Sequence, residues 1–437
     1  MKFNLFLCLC LAQNLLYAQA DLLQSGPMVG YAEMREVALW VQTKAPAQVQ
    51  FAYWRADSAA DLHLSAVFQT QQTAANAAKI IADQLMPGKK YGYKLFINNQ
   101  PVLLPYATEF QALPLWKYRT DAPNFSFATG SCNYINEPVY DRPGKGYGTS
   151  YAIFNAIGNQ KPDFMLWLGD NIYLREPDWN TKTGIYHRYT HTRSTPELQP
   201  LMAAMPQYAI WDDHDFGTND SDGSFINKEL TAEAFKNFWA NPNYQNAGTT
   251  GMFTWNDCDF FLLDNRYYRT TDKLLDKPKG SILGKDQLEW FKQALLRSDA
   301  SFKFVAMGGQ FLNTAAVYEN YSICPQERNE IINFIHDNEV KNVVFLTGDR
   351  HFSELSKLET QGKPTIYDFT ASPLTSTAVT LDKAQPEANT LRMANSLVCQ
   401  NNFGQITVTG AKKERKITIY TKDNAGKILA QQEIVKQ

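Results

Sequence analysis

Five short apolar runs constrain this sequence most, because each one ends in residues that can bind a metal ion. Residues 164–168 are apolar and lie between Pro162-Asp163 and Gly169, which predicts a strand buried on both faces. Gly169 allows a turn, so Asp170 lies just beyond the carboxyl end of the strand, where open α/β sheets bind ligands. The other runs end in the same way: 125–129 before Gly130-Ser131-Cys132, 208–211 before Asp212-Asp213-His214-Asp215, 302–307 before Gly308-Gly309-Gln310, and 343–347 before Gly348-Asp349-Arg350-His351.

The overall composition limits the class of partner. The 437 residues are enough for two or three domains with a large core. With 42 basic and 44 acidic residues, the chain has no positive field for nucleic acid, so a nucleic-acid-binding function is disfavoured. The sequence identifies no partner protein.

The first twenty residues are typical of a secretory signal peptide. Met1-Lys2 precedes an apolar run over residues 3–16, and Ala18-Gln19-Ala20 supplies the small residues of a cleavage site. We expect cleavage after Ala18 or Ala20; a lipoprotein site at Cys10 is an open alternative. No later segment is apolar enough to span a membrane, so a secreted or periplasmic location is predicted.

Four cysteines follow this segment, namely Cys132, Cys258, Cys324 and Cys399. Disulfides are permitted in an exported protein. If Cys132 is a metal ligand, at most one bridge can form among the others. Cys324 with Cys399 is the expected pair, since Cys258 lies in an apolar run and is predicted to be buried.

Residues 21–114 predict a small all-β sandwich of the immunoglobulin or fibronectin kind. Apolar residues alternate in several short runs separated by turns, for example at Val37, Leu39 and Val41. The stretch 85–93 resembles a tyrosine corner. A packing or lid module without chemistry is the simplest interpretation.

Residues 120–437 predict an α/β domain, because segments with helical spacing alternate with the buried runs. Helices are expected over 151–157, 231–239, 285–296 and 326–336. Near the end, two alternating runs and a turn at 423–426 predict an antiparallel hairpin on a second sheet. The polar, aromatic segment 175–200 is either a surface loop or a lid over the site.

The candidate metal ligands centre on Asp170. A single Gly-Asp after a strand is usually a turn, and Cys132 alone could be an inert thiol. Because several other candidate ligands occur in the same pattern, a metal site is favoured over these two interpretations. Clustered carboxylates, a phenolate and a thiolate would repel one another without a highly charged cation. Because phenolate and thiolate favour a metal more Lewis-acidic than magnesium, we infer Fe³⁺ with a second divalent ion that shares Asp170. The candidate ligands are Cys132, Asp170, Tyr173, Asp213, Asp349 and His351.

Two cations sharing a carboxylate suit attack of metal-bound hydroxide on phosphorus, so phosphoester hydrolysis is the predicted reaction. The motifs agree with this prediction. Gly-Asp-Asn-Ile-Tyr at 169–173, Trp-Asp-Asp-His-Asp at 211–215 and Gly-Asp-Arg-His at 348–351 resemble those of the metallophosphoesterase superfamily. With Gly130-Ser131-Cys132 and the segment 263–269, they resemble specifically the alkaline phosphatase D (PhoD-like) family, over residues 21–437.

The resemblance implies a fold and a role for each residue. The fold would be a two-sheet core flanked by helices, preceded by the small sandwich. Asp170 would bridge two ions, Cys132 and Tyr173 would ligate Fe³⁺, and Asp213 stands where relatives have a ligating asparagine. His214 would face the scissile phosphate and protonate the leaving oxygen. Asp349 and His351 would be further ligands. Asn219 and Arg266 would hold phosphate or support the ligands.

Two departures from the family pattern concern the second ion. Asp215 replaces a common glutamate, and Gln310 falls where relatives place a histidine. Because an amide is the poorer ligand, Ca²⁺ or another oxygen-preferring divalent ion is expected there. The alternative function is a catalytically inactive extracellular binding protein on the same fold. Mono- or diester preference is left open.

Overall fold

The computed structural model describes residues 22–437, so the signal peptide predicted over residues 1–20 lies outside the described residues. The chain divides into two compact units. One contains the residues up to Leu115, together with 190–207 and 237–240; the other contains 116–189, 208–236 and 241–437.

The first unit is built on β-strands, as its alternating pattern predicts. One sheet has the order β1-β2-β6, and a second has the order β4-β3-β7-β8, with β5 beside β3 and β9 beside β7. The Tyr91 hydroxyl accepts the backbone N–H of Met86 at 2.8 Å, which is the contact of a tyrosine corner. The strands are β1 Leu23–Ala32, β2 Val37–Thr43, β3 Gln48–Arg55, β4 Ser58–Leu64, β5 Phe68–Gln69, β6 Ala77–Ala82, β7 Lys90–Ile97, β8 Gln100–Pro101 and β9 Glu109–Gln111.

The second unit contains two six-stranded sheets with the orders β12-β11-β10-β19-β20-β21 and β13-β14-β15-β16-β18-β17. Parallel pairs such as β10 with β11 and β15 with β16 place several carboxyl ends together. The strands are β10 Phe125–Gly130, β11 Phe164–Leu168, β12 Gln207–Ile210, β13 Gly251–Trp255, β14 Cys258–Leu262, β15 Phe302–Ala306, β16 Val343–Thr347, β17 Glu354–Leu358, β18 Ile366–Thr370, β19 Asn402–Thr409, β20 Lys416–Asp423 and β21 Ile428–Val435.

Several helices of the second unit bury apolar stripes. In the helix over Lys285–Arg297, Leu288, Phe291 and Leu295 recur at helical spacing and are all buried. The helices of the described chain are α1 Ala152–Asn159, α2 Lys182–Arg193, α3 Gln199–Ala204, α4 Asp213–Phe216, α5 Lys228–Phe238, α6 Asp272–Leu275, α7 Lys285–Arg297, α8 Pro325–Asp337 and α9 Leu381–Ala384.

The five buried strands and four helices expected from the apolar pattern are confirmed, with every end within three residues of its expected position. Two other expectations were wrong in part. The antiparallel C-terminal hairpin is confirmed, but it does not lie on a second sheet. It extends the sheet that carries β10–β12, because β19 returns antiparallel to β10 and pairs Val408 with Phe125. Of the two alternatives for the segment 175–200, the surface loop is wrong, since α2 forms there and buries Arg188 against Asp178 and Glu137. The lid stays a prediction.

The expected disulfide was also wrong. Cys132, Cys258, Cys324 and Cys399 are all free thiols, and the first three are buried. Within residues 22–437, no helix combines the length and apolar character required to cross a membrane.

Candidate metal centre

The loops after β10, β11 and β16 bring three ligand types together. Cys132 Sγ lies 3.6 Å from Asp170 Oδ2, and the Tyr173 hydroxyl lies 3.1 Å from the same oxygen. The Tyr173 hydroxyl is also 3.4 Å from His351 Nε2. Ligand atoms of Cys132, Asp170 and His351 all lie within 4.8 Å of one another, a separation that one cation can span.

A second group of side chains shares Asp170. Ligand atoms of Asp170, Asp213 and His214 lie within 4.8 Å of one another, and so do those of Asp212, Asp213 and Asp349. The six ligands expected from the sequence therefore lie in one cluster: Cys132, Tyr173, Asp213 and His351 lie around the carboxylate of Asp170, and Asp349 lies beside Asp213. Two overlapping groups with one shared carboxylate are the arrangement that a pair of ions requires.

Four of these residues have left-handed backbone. The φ angles are 59° at Cys132, 51° at Asp170, 67° at Asp349 and 55° at His351. Residues with a side chain seldom adopt this region, which costs each about 1–2 kcal/mol. Gly169 precedes Asp170 with φ 88°, and a Cβ there would lie 2.7 Å from the Cβ of Asp212. Such backbone persists where the surrounding fold fixes it, and it concentrates at functional sites.

The electrostatics of the group favour a bound cation. Burial, followed by the charges of Asp213 and Cys132, raises the pKa of Asp170 well above its usual value. Burial and the charge of Asp212 raise the pKa of Asp349 to about 8. Asp212 Oδ2 and Asp213 Oδ1 are buried without a hydrogen-bond partner. Since buried carboxylates that lack partners are unfavourable, the oxygen, sulfur and nitrogen atoms of this set fit multivalent cations.

His351 is oriented by its surroundings. Its Nδ1–H donates to the carbonyl of Thr377 at 2.8 Å, so Nε2 is the nitrogen left to bind a cation. Its backbone N–H donates to the Ser372 hydroxyl, which donates to Cys132 Sγ at 3.2 Å. Burial opposes charge on both residues, but their mutual attraction lowers the pKa of Cys132 and raises that of His351 to about 9.

His214 lies at the edge of the group. Its backbone N–H points to Asp170 Oδ1 at 3.4 Å, and its ring lies 4.2 Å from that of Tyr173, centroid to centroid. Its Nε2 is 3.9 Å from Asp213 Oδ2, and about a fifth of the side chain is exposed. Burial lowers the pKa of His214 even though Asp213 opposes the shift. The imidazole is thus accessible and close to the carboxylates.

The two residues expected to hold phosphate differ in position. Arg266 is fully buried, and its guanidinium donates to Asp212 Oδ1 and to both carboxylate oxygens of Glu319. Of the two roles that the sequence suggests for Arg266, these contacts fit support of the ligands. Asn219 is exposed, and its neighbour Asp220 donates its backbone N–H to Asp213 Oδ2 at 2.8 Å.

Several supporting residues escaped the sequence analysis. Glu319 lies outside every motif, and Asp215 carries hydrogen bonds that no pattern indicates. Gln310 is not directed toward the ligands: its amide group contacts Glu354, Thr370, Asn313 and Arg350. The only sequence signal for Asp212 was its place beside Asp213.

Comparisons with known proteins give the relatives of this chain. Residues 20–115 match a domain of unknown function, DUF7800. Alkaline phosphatase D of Bacillus subtilis (strain 168) is 25% identical over 364 residues, which cover 70% of this chain and 58% of that protein. The chain thus spans less than two thirds of that relative. A solved structure of PhoD has the same fold, with a TM-score of 0.76 at 19% identity over 95% of this chain and 93% of that one. Residues 127–419, more than half of the sequence, match the PhoD-like phosphatase profile, and the chain therefore belongs to the PhoD-like phosphatase family.

Proposed function

We propose that this protein is a phosphoester hydrolase that uses two metal ions sharing Asp170. The observation that carries the proposal is the overlap of two ligand groups at this carboxylate, one with Cys132 and His351 and the other with Asp213 and His214. Family membership supports the same reaction class. No observation favours the alternative of an inactive binding protein.

The donor atoms divide by chemical type. Cys132 and Tyr173 offer sulfur and phenol oxygen, which suit Fe³⁺, and His351 Nε2 lies beside them. Asp213 and Asp349 offer carboxylate oxygens, which suit Ca²⁺ or another divalent ion. Such a pair, when bound, acidifies water and neutralises charge on phosphoryl oxygens.

The remaining residues bind the substrate and move protons. His214 lies at the accessible edge, within reach of an ester oxygen that approaches the shared carboxylate, and donates a proton to the leaving oxygen. Asn219 contacts the phosphoryl group from the exposed loop. Arg266 holds Asp212 in place, since its donors are directed to buried carboxylates.

The cellular location is part of the proposal. The charged, apolar and small-residue pattern of residues 1–20 supports export, to the periplasm or outside the cell. The substrate is a phosphoester, and the preference between monoesters and diesters is to be measured.

The test is Asp170→Asn assayed with p-nitrophenyl phosphate and bis-p-nitrophenyl phosphate. We expect turnover of both to fall by at least about a thousandfold, because one change removes a ligand from both ions. Asp286→Asn, an exposed carboxylate on α7, is the matched control and retains activity. Unchanged turnover of both substrates by Asp170→Asn would refute the proposal.

A further inference from the structure

A loop over residues 137–148 lies beside the candidate metal centre and is held at both ends. At its start, Asp141 accepts the Tyr134 hydroxyl at 2.9 Å and the backbone N–H of Glu137 at 2.7 Å. At its end, the Asn136 side chain accepts the N–H of Gly148 and donates to its carbonyl, both at 2.9 Å. The backbone of this loop is therefore fixed on each side of its exposed part.

Tyr147 is the residue of this loop that reaches the centre. Its hydroxyl lies 3.2 Å from His351 Nδ1, and its ring centroid is 5.6 Å from that of His351. The Thr377 hydroxyl donates to the Tyr147 carbonyl at 2.8 Å, which also fixes the backbone. The side chain is consequently placed before any substrate arrives.

Tyr147 is also the exposed member of an aromatic cluster. Its ring lies 5.0 Å from that of Tyr134 and 6.3 Å from that of Tyr173, and these two rings are themselves 4.9 Å apart. Tyr134 and Tyr173 are buried, whereas Tyr147 is 42% exposed. One open aromatic surface therefore adjoins the ligands Tyr173 and His351.

We propose that Tyr147 is a specificity-determining residue that stacks on a planar, aromatic group of the substrate. A fixed ring loses little conformational freedom on binding, and stacking on a base or aryl ring contributes about 1–3 kcal/mol. The preferred substrates are thus phosphoesters of aryl or nucleoside alcohols. This inference rests on the proposed function, because it assigns a substrate class to the same site.

The test compares phenyl phosphate, adenosine 5′-monophosphate and glycerol 2-phosphate with the metal-loaded full chain. We expect Tyr147→Ala and Tyr147→Leu to raise KM about tenfold for the two aromatic esters and less than twofold for the glycerol ester. Tyr147→Phe keeps the ring and remains within about twofold for all three. Tyr140→Ala is the matched control: Tyr140 is 44% exposed in the same loop, but its ring faces that of His187.

Two outcomes overturn the inference: equal losses for all three substrates, which indicate a role only through His351, or no loss for any. An effect on phenyl phosphate but not on the nucleotide identifies the group as a simple aryl ring. Binding of phenylphosphonate, which contains no ester bond, is measured in parallel by calorimetry. Binding that depends on Tyr147 without turnover of any ester refutes the proposed function and keeps the subsite. If Tyr147→Ala leaves the turnover of the esters unchanged, the aromatic subsite is refuted and the proposed function is kept.

Discussion

Asp215 accepts the backbone N–H of Asn171 on both of its carboxylate oxygens, at 3.1 and 3.2 Å. It also accepts the backbone N–H of Asp212 at 3.1 Å. Since Asn171 directly follows Asp170, the buried Asp215 joins the loop of the central carboxylate to the turn that carries Asp213. Two ligand loops are thereby fixed to one another.

We expect Asp215→Asn to weaken this connection. An amide keeps one acceptor oxygen and turns N–H groups toward backbone donors, so at least one buried N–H is left unpaired at a cost of about 1–3 kcal/mol. kcat/KM should fall about 10- to 100-fold, as when other residues that orient metal ligands are changed. Denaturant unfolding and turnover measure the two effects. Full activity at wild-type stability would contradict the connecting role.

Arg266→Met separates support of the ligands from phosphate binding. Removing the guanidinium leaves the carboxylate of Asp212 buried without its cation, and leaves Glu319 with Arg269 as its remaining cation, 3.0 Å away. We expect a loss of at least about 3 kcal/mol in the free energy of unfolding of the metal-free protein. A variant with unchanged stability and a raised KM would instead assign Arg266 to the substrate.

Cys132→Ser tests the division of ligands between the two ions. Because Cys132 belongs to only one of the two groups that share Asp170, we expect the loss of one bound metal and retention of the other. Elemental analysis of the purified protein gives the metal content per chain. Cys258→Ser, which changes a buried free thiol on β14, is the control. Loss of neither metal would exclude the thiolate as a ligand.

Removing charge at position 170 should stabilise the metal-free protein while abolishing stabilisation by metal. Burial and nearby negative charges raise the pKa of Asp170, so its ionised form is unfavourable without a cation. We expect Asp170→Asn to have a Tm higher than the wild type after chelation, and lower after metals are added, because bound ions stabilise only the wild type. Thermal unfolding with and without metals measures both differences. Identical responses to metal would contradict a role of Asp170 in binding.

Asp368 provides a prediction on pH. It accepts the backbone N–H groups of Phe311 and Leu312 and the Thr347 hydroxyl, and burial raises its pKa from 3.8 to about 6. The folded state therefore holds the proton more tightly than the unfolded state. The stabilisation from this group is complete below pH 4, is lost between pH 4 and 6, and amounts to about 3 kcal/mol.

Asp368→Asn should remove this part of the pH dependence. The asparagine oxygen can accept both N–H groups, and the amide can donate to the Thr347 hydroxyl, which in turn can donate to Thr370 3.0 Å away. Unfolding of metal-free wild type and variant by denaturant at pH 4 and pH 7 gives the comparison. An equal pH dependence in the two proteins would show that Asp368 does not titrate in this range.

The strands of the core could be predicted because their signal is local. A run such as Phe164–Leu168 ends at a glycine and is apolar on both faces. The position of β19 beside β10 could not be predicted, because pairing between residues 125 and 408 leaves no local pattern. Helix α2 was missed for another reason: Arg188 is buried through ion pairs with Asp178 and Glu137, so no apolar stripe indicates its buried face.

The candidate ligands were accessible to sequence reasoning because each follows a predicted strand. The residues that hold these ligands in place could not be identified from the sequence. Glu319 reaches Arg266 from a loop without a motif, and Gln310 has the position of a ligand but is bound within another network. Spacing along the chain identifies which loops meet, while hydrogen bonds between those loops depend on the complete fold.

The left-handed backbone at Cys132, Asp170, Asp349 and His351 has a consequence for protein engineering. Transplanting the six ligand side chains onto another scaffold would not reproduce this centre unless the recipient chain already bends in the same sense at those four positions. β-Branched replacements there are unfavourable whatever their donor atoms, since the extra branch is poorly tolerated in this conformation. Redesign of the metal preference is therefore best begun at Tyr173 and Asp213, where the main chain leaves a wider choice of residues.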